Sequence, residues 1–185
     1  MSAIVRILKN WLPLAIATAG LCGLVYLTVQ QSLRMGANDP QIQMAEEAAS
    51  NLNAGASVES VVPSVKVEIA NSLAPFVMVF DDSGNVVTSS ATLHGVTPAY
   101  PTGVLDYARQ HGEDRVTWQP EPSVRMATVV VGYDNGFVLA GRSLREVEIR
   151  ESNAERISGI ALLATWAATL LVVVAGELIV YRKKA

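Results

Sequence analysis

The sequence predicts an α+β protein in which two transmembrane helices flank a mixed domain. That domain is expected to hold a five-stranded antiparallel sheet and N-terminal helices. Three observations lead there. Two long apolar runs bracket the chain: Trp11 to Val29, 19 residues without a charge, and Ile157 to Tyr181, broken only by Glu177. A bilayer core needs about 20 apolar residues per helix, so each run is long enough to cross one. Between them lie short β-branched and aromatic runs separated by Asp/Asn/Gly turns. Before the first of these and after the last, apolar residues recur every three to four positions, the helical period. The resulting organisation is a cytoplasmic N-terminus (1–10), a first span (11–33), an extracytoplasmic domain (34–156), a second span (157–181) and a cytoplasmic C-terminus (182–185).

Basic residues beside the spans set the orientation. Arg6 and Lys9 precede the first, and Arg182, Lys183 and Lys184 follow the second. By the positive-inside rule both termini are expected in the cytoplasm. The middle segment carries nine basic and sixteen acidic residues, a net charge of −7. Arg34 alone counts against this topology, and long loops translocate largely regardless of charge. The first run reads as an uncleaved anchor, because it is long for a signal peptide and no small-x-small cleavage site follows Val29. The one cysteine, Cys22, lies inside that run, so the middle domain has no disulfide and must rely on a packed core.

The elements follow in order. Asn38 to Leu52 reads as a helix that starts at Asp39-Pro40, with Ile42, Ala45, Ala49 and Leu52 on one face. A second helix is expected over Val58 to Ser72, with Pro63 in its first turn. Phe76 to Phe80, the turn Asp81-Asp82-Ser83-Gly84-Asn85 and Val86 to Thr88 form a β-hairpin. Ala91 to Thr102, with Gly95, Pro98 and Pro101, is an irregular loop. Thr102 to His111 is a helix with Thr102 as cap and Gly112 as stop. Three strands follow, Arg115 to Gln119, Val124 to Tyr133 and Phe137 to Arg142, the last two joined by Asp134-Asn135-Gly136. From Ser143 no glycine or proline intervenes before Gly159, which predicts one continuous helix from the last strand into the second span.

This layout resembles the extracytoplasmic PAS-like (Cache or PDC) sensor domain of bacterial membrane receptors and histidine kinases. The stretch Phe76-Val77-Met78-Val79-Phe80-Asp81-Asp82-Ser83-Gly84-Asn85-Val86-Val87-Thr88-Ser89-Ser90 resembles that family's first hairpin. Gly136 to Val147 resembles its final strand running into a signalling helix. The resemblance spans roughly Asn38 to Tyr181 and implies a sensing or docking module. Four residues follow Tyr181, where such receptors continue into a HAMP, kinase or methyl-accepting region, so the chain is expected to act through a partner protein. A non-catalytic accessory subunit of a larger membrane complex is the alternative.

Candidate site residues come from the loop-helix insert and the sheet. His94 is suited to sense pH or to contact an anionic ligand; His111, the other histidine, lies at the end of the insert. Tyr100, Tyr107, Trp118, Arg125 and Tyr133 are candidates to line a pocket with His94, Arg125 pairing with a carboxylate. The plainer readings are a solvated loop histidine and an arginine facing water. Ala15, Ala19 and Gly23 in the first span, and Ala164 and Ala168 in the second (or Ala161, Thr165 and Thr169), form small-residue ridges for helix packing. Glu177 should face protein or reach the membrane interface. No CxxCH haem site, Cys/His metal cluster, P-loop or GxSxG elbow occurs, so no enzyme, cofactor or metal is expected. The expected partners are membrane lipid, another membrane protein or a second copy, and a small-molecule ligand under the sensing reading. No nucleic acid is expected.

Overall fold

The computed structural model describes residues 2–182, without the side chains of Arg34 and Ala37. Lys183 and Lys184, which the sequence counts toward orientation, lie outside the described residues, as does the side chain of Arg34. The elements are α1 (Ala3–Asn53), α2 (Val58–Val61), β1 (Val67–Glu68), β2 (Phe76–Asp81), β3 (Val86–Ser89), β4 (Ala91–Thr92), α3 (Thr102–His111), β5 (Glu113–Glu121), β6 (Val124–Tyr133), β7 (Gly136–Ser143) and α4 (Arg145–Arg182). The protein is α+β and divides into two compact units, one running from Arg34 to Glu148, the other up to Leu33 and from Ile149 onward.

The Arg34–Glu148 unit is built on a five-stranded antiparallel sheet of order β3-β2-β7-β6-β5. Alternation along the strands gives it two apolar faces. Phe76, Met78 and Phe80 of β2, Met126 and Val130 of β6, and Phe137 and Leu139 of β7 point one way, onto Tyr100, Leu105, Ala108 and Trp118. Val77, Val79 and Val138 point the other way, onto Ala48, Ala49 and Val62. Ala45 meets Val129 and Ala140 on that second face. Phe76, Phe80 and Phe137 are each at most 1% exposed, and burying a side chain of that size contributes about 1.5–3 kcal/mol.

The β2–β3 turn shows why its residues were legible. Both carboxylate oxygens of Asp81 accept from Asn85, from its backbone N–H (2.8 Å) and its Nδ2 (3.0 Å), while Gly84 takes the left-handed φ of 83° that closes the turn. These bonds, led by the Asn85 side chain, hold the Asp81 carboxyl below its usual range.

Three expectations are corrected. The helix expected to start at Asp39-Pro40 has no start there, because α1 runs unbroken to Asn53. Pro40 removes one backbone donor, and the buried residues Gln41, Ala45, Ala48 and Ala49 hold the following turns against the sheet. The helix expected over Val58 to Ser72 ends at Val61. Beyond Pro63 the chain extends, and Val67 and Glu68 pair in parallel with Ala91 and Thr92, an ordering that depends on partners 24 residues away. Thr102 is the first helical residue of α3 and not its cap; Pro101 holds the cap position without a side-chain bond. Gly112 does stop that helix, at φ 87°, its N–H donating to the Ala108 carbonyl.

In the other unit the two apolar helices are antiparallel. Each is long and apolar enough to cross a membrane. Their large side chains point outward, with Leu21, Leu24, Ile157, Leu163 and Leu171 all more than 60% exposed.

Candidate functional site

Short β1 brings Glu68 beneath the tip of the 91–101 insert. Its carboxylate accepts from the backbone N–H of His94 (2.9 Å), the N–H of Gly95 (3.1 Å) and the Thr92 hydroxyl (3.3 Å). These donors, the His94 N–H first, draw the Glu68 carboxyl below its ordinary range. His94 is the one non-glycine residue with positive φ among the described residues, at 53°. Such a conformation is sparsely populated and needs local support, which the Glu68 bonds supply. The imidazole Nε2 then meets Glu121 Oε2 at 2.9 Å, at the end of β5. That hydrogen bond first, then the charges of Glu121 and Glu68, raise the His94 pKa above its ordinary value. Leu93 and Val96 close the tip with a pair of backbone hydrogen bonds of 2.8 and 3.2 Å.

The insert is rooted by Tyr100, 8% exposed, whose hydroxyl shares a 2.9 Å hydrogen bond with Thr128. Its ring meets Trp118 edge-on at 5.1 Å and Phe80 at 6.0 Å. Burial is the main reason the Tyr100 phenol is pushed up to about 12. On α3, Arg109 lies 4.9 Å over the Phe137 ring and donates to the Asp82 carbonyl and to Asp106, tying the helix to the β2–β3 turn. Tyr107 and His111 stack at 4.0 Å on the same helix, and His111 Nδ1 donates to the Tyr107 carbonyl.

The six proposed pocket residues therefore do not converge. Tyr100 and Trp118 are packed together in the core. His94 lies at the exposed tip of the insert, and Tyr107 is half exposed on α3. Arg125 is on the sheet face opposite Met126 and pairs with Glu148 of α4. Tyr133 shares that face and packs on the Ala48–Val79 cluster; partial burial raises its pKa. The carboxylates that complete the His94 cluster, Glu68 and Glu121, carry no local sequence signal, since both partners lie about 27 residues from it.

The helix pair has its own polar contacts. Arg6 Nε meets Glu177 Oε2 at 3.1 Å, and Asn10 Nδ2 donates to Glu177 Oε1 at 3.5 Å. Trp11 Nε1 donates to Thr169 Oγ1 (3.0 Å) and Trp166 Nε1 to the Ala15 carbonyl (3.1 Å), the two indoles meeting edge-on at 6.1 Å. Glu177 is the one ionisable group within the second apolar run, and its partner is Arg6, on the other helix. Ala15 is 4% exposed at this crossing. Ala19 and Gly23 instead line a recess of about 250 Å³ with Cys22, Tyr26, Ser158 and Gly159. A Cβ on Gly23 would meet nothing within 4 Å, so close packing ends before it. Ala164 and Ala168 are exposed and turned away from α1, whose facing residues on α4 are Thr165, Trp166 and Thr169.

Comparison with protein-family models, with curated proteins and with solved structures finds no match to this chain.

Proposed function

We propose that this is a two-span protein of a bacterial cell membrane whose Arg34–Glu148 unit lies outside the cytoplasm as a PAS-like sensing or docking module, acting through a partner protein. The observation that carries this reading is the antiparallel helix pair. Its outward surface is largely apolar, the indole N–H groups of Trp11 and Trp166 and the Glu177 carboxylate are bonded across to the other helix, and the basic residues Arg6 and Arg182 fall at the same end. Water disfavours such an outward surface and a bilayer favours it. The PAS-like reading is supported by the element order: a hairpin, a loop-helix insert lying on one sheet face, three further antiparallel strands, then a helix that leaves the last strand after one residue.

Impermeant thiol labelling tests the placement. In a Cys22→Ala background, Ser83→Cys is expected to react in intact cells and Ser2→Cys only after permeabilisation. The reverse pattern refutes the topology.

The exposed Ala164–Ala168 ridge favours the alternative reading, an accessory subunit of a larger membrane complex, because a small-residue face lets another helix approach closely. Native electrophoresis after mild solubilisation separates the two. Recovery at fixed stoichiometry in one large assembly favours the accessory role. Recovery outside any such assembly favours the sensor.

A further inference from the structure

We infer that His94 is a proton-operated latch: its charged ring, clasped by Glu121, fastens the tip of the insert to the end of β5, and loss of the proton loosens that tip. This deepens the sensing reading by naming the proton as a signal, and it rests on that reading for its biological meaning.

Three features set the cluster apart from an incidental surface ion pair. Glu68 is committed to the backbone of the turn through the N–H groups of His94 and Gly95. It therefore fixes where the imidazole stands, at the positive φ of 53°. Glu121 lies at the far end of β5, an edge strand. The contact thus joins two segments that do not share a backbone ladder. The insert is held to the core independently by Tyr100 and Leu93, so what the imidazole contact adds falls on the exposed turn from His94 to Thr97 while the domain stays folded.

The titratable groups that face the imidazole are Glu121 from β5 and Glu68 from β1, both acidic. The sign follows. A neighbouring carboxylate favours the charged ring, so the closed tip binds a proton more tightly than the open tip. The contribution to closure is complete below the ordinary histidine pKa of 6.5 and is lost as pH rises through the raised value. Unperturbed histidine titrates near neutrality, which makes such a device responsive to ordinary changes outside a cell.

The full-length chain in lipid nanodiscs, labelled at the histidine ring carbons, gives two signals, since His94 and His111 are its only histidines. The expected result is a His94 midpoint that falls in Glu121→Gln. In the wild type, exchange of the Leu93 and Val96 amides, corrected for the intrinsic pH effect, should be faster at about pH 8.5 than at about pH 5.5. The ratio should be about tenfold per pKa unit separating closed from open tip. His94→Asn, which tolerates positive φ, should exchange at one corrected rate at both pH values. A His94 midpoint unmoved by Glu121→Gln overturns the latch, and so does equal protection at both pH values in the wild type. Neither result bears on membrane placement, which the thiol labelling decides separately.

Discussion

Replacing Gly141 by alanine tests how tightly the sheet is built. Gly141 on β7 stands opposite Phe76 on β2, and the Phe76 ring lies flat over it. A Cβ at position 141 would come within 2.8 Å of Phe76 Cε1 and Cε2, and closer still to Cζ. Carbon atoms rest about 3.5–4.0 Å apart, so the ring must retreat by about an ångström. It has nowhere to go: Phe76 is 0% exposed, with Trp118 edge-on at 6.3 Å. Overpacking of this kind costs about 1–3 kcal/mol. For a domain near this size that lowers the thermal midpoint by roughly 5–15 °C. The assay is far-UV circular dichroism on residues 34–148 expressed alone, which is itself expected to unfold cooperatively. Leucine at position 76 lacks the outer ring atoms, so Gly141→Ala should cost little in a Phe76→Leu background. A double-mutant cycle isolates that coupling. An equal cost in both backgrounds would refute the seating of the ring over Gly141.

Other outcomes are open to measurement. Gln41 is fully buried and its side-chain amide has no hydrogen-bond partner among the described residues; Gln41→Leu should therefore be neutral or stabilise residues 34–148 by up to about 2 kcal/mol in urea unfolding, and a loss of stability would show that the amide is satisfied. Above pH 10.0, the ordinary tyrosine value, the unfolded phenol ionises first, so stability should fall until Tyr100 itself titrates at about 12. Tyr100→Phe should flatten that fall, and an unchanged profile would assign it to other groups. Ala15→Leu should spread the helix pair at the Trp11–Trp166 crossing, whereas Gly23→Leu, entering the recess, should not; intramolecular crosslinking of paired cysteines distinguishes them, and equal loss would contradict the recess.

The hairpin from Phe76 to Thr88, the α3 stop at Gly112 and the unbroken α4 were legible because each depends on residues within a few positions of itself. Asp81, Gly84 and Asn85 close their turn among themselves. The segment from Pro63 to Ile69 was not legible, because its conformation is decided by Ser90 and Thr92, whose carbonyls accept from Val67 and Ile69. Nor was the passage of α1 through Pro40, where packing on the sheet outweighs one missing donor. The same distance limit governs the site. His94 was visible as a titratable residue in an insert, but its clasp requires Glu68 and Glu121 from separate strands. Arg125 was visible as a strand arginine, but Glu148, which it meets, belongs to the helix that begins after the next strand.

The junction between β7 and α4 has a mechanical consequence. Only Leu144 separates Ser143 from Arg145. Its N–H donates to the Arg125 carbonyl (2.9 Å), its carbonyl accepts from Glu148 N–H (2.9 Å), and Arg145 reaches the Ala70 carbonyl (2.7 Å). A joint with no slack fixes where the first turn of α4 sets out: Arg145 to Glu148 take their azimuth from the last two strands. One alanine inserted after Leu144 would turn Glu148 by about 100° about the helix axis and away from Arg125, since 3.6 residues make a turn. A deletion of one residue would turn it as far the other way. Insertion length, more than side-chain identity, is thus the coordinate along which the Arg125–Glu148 contact at this joint can be tuned.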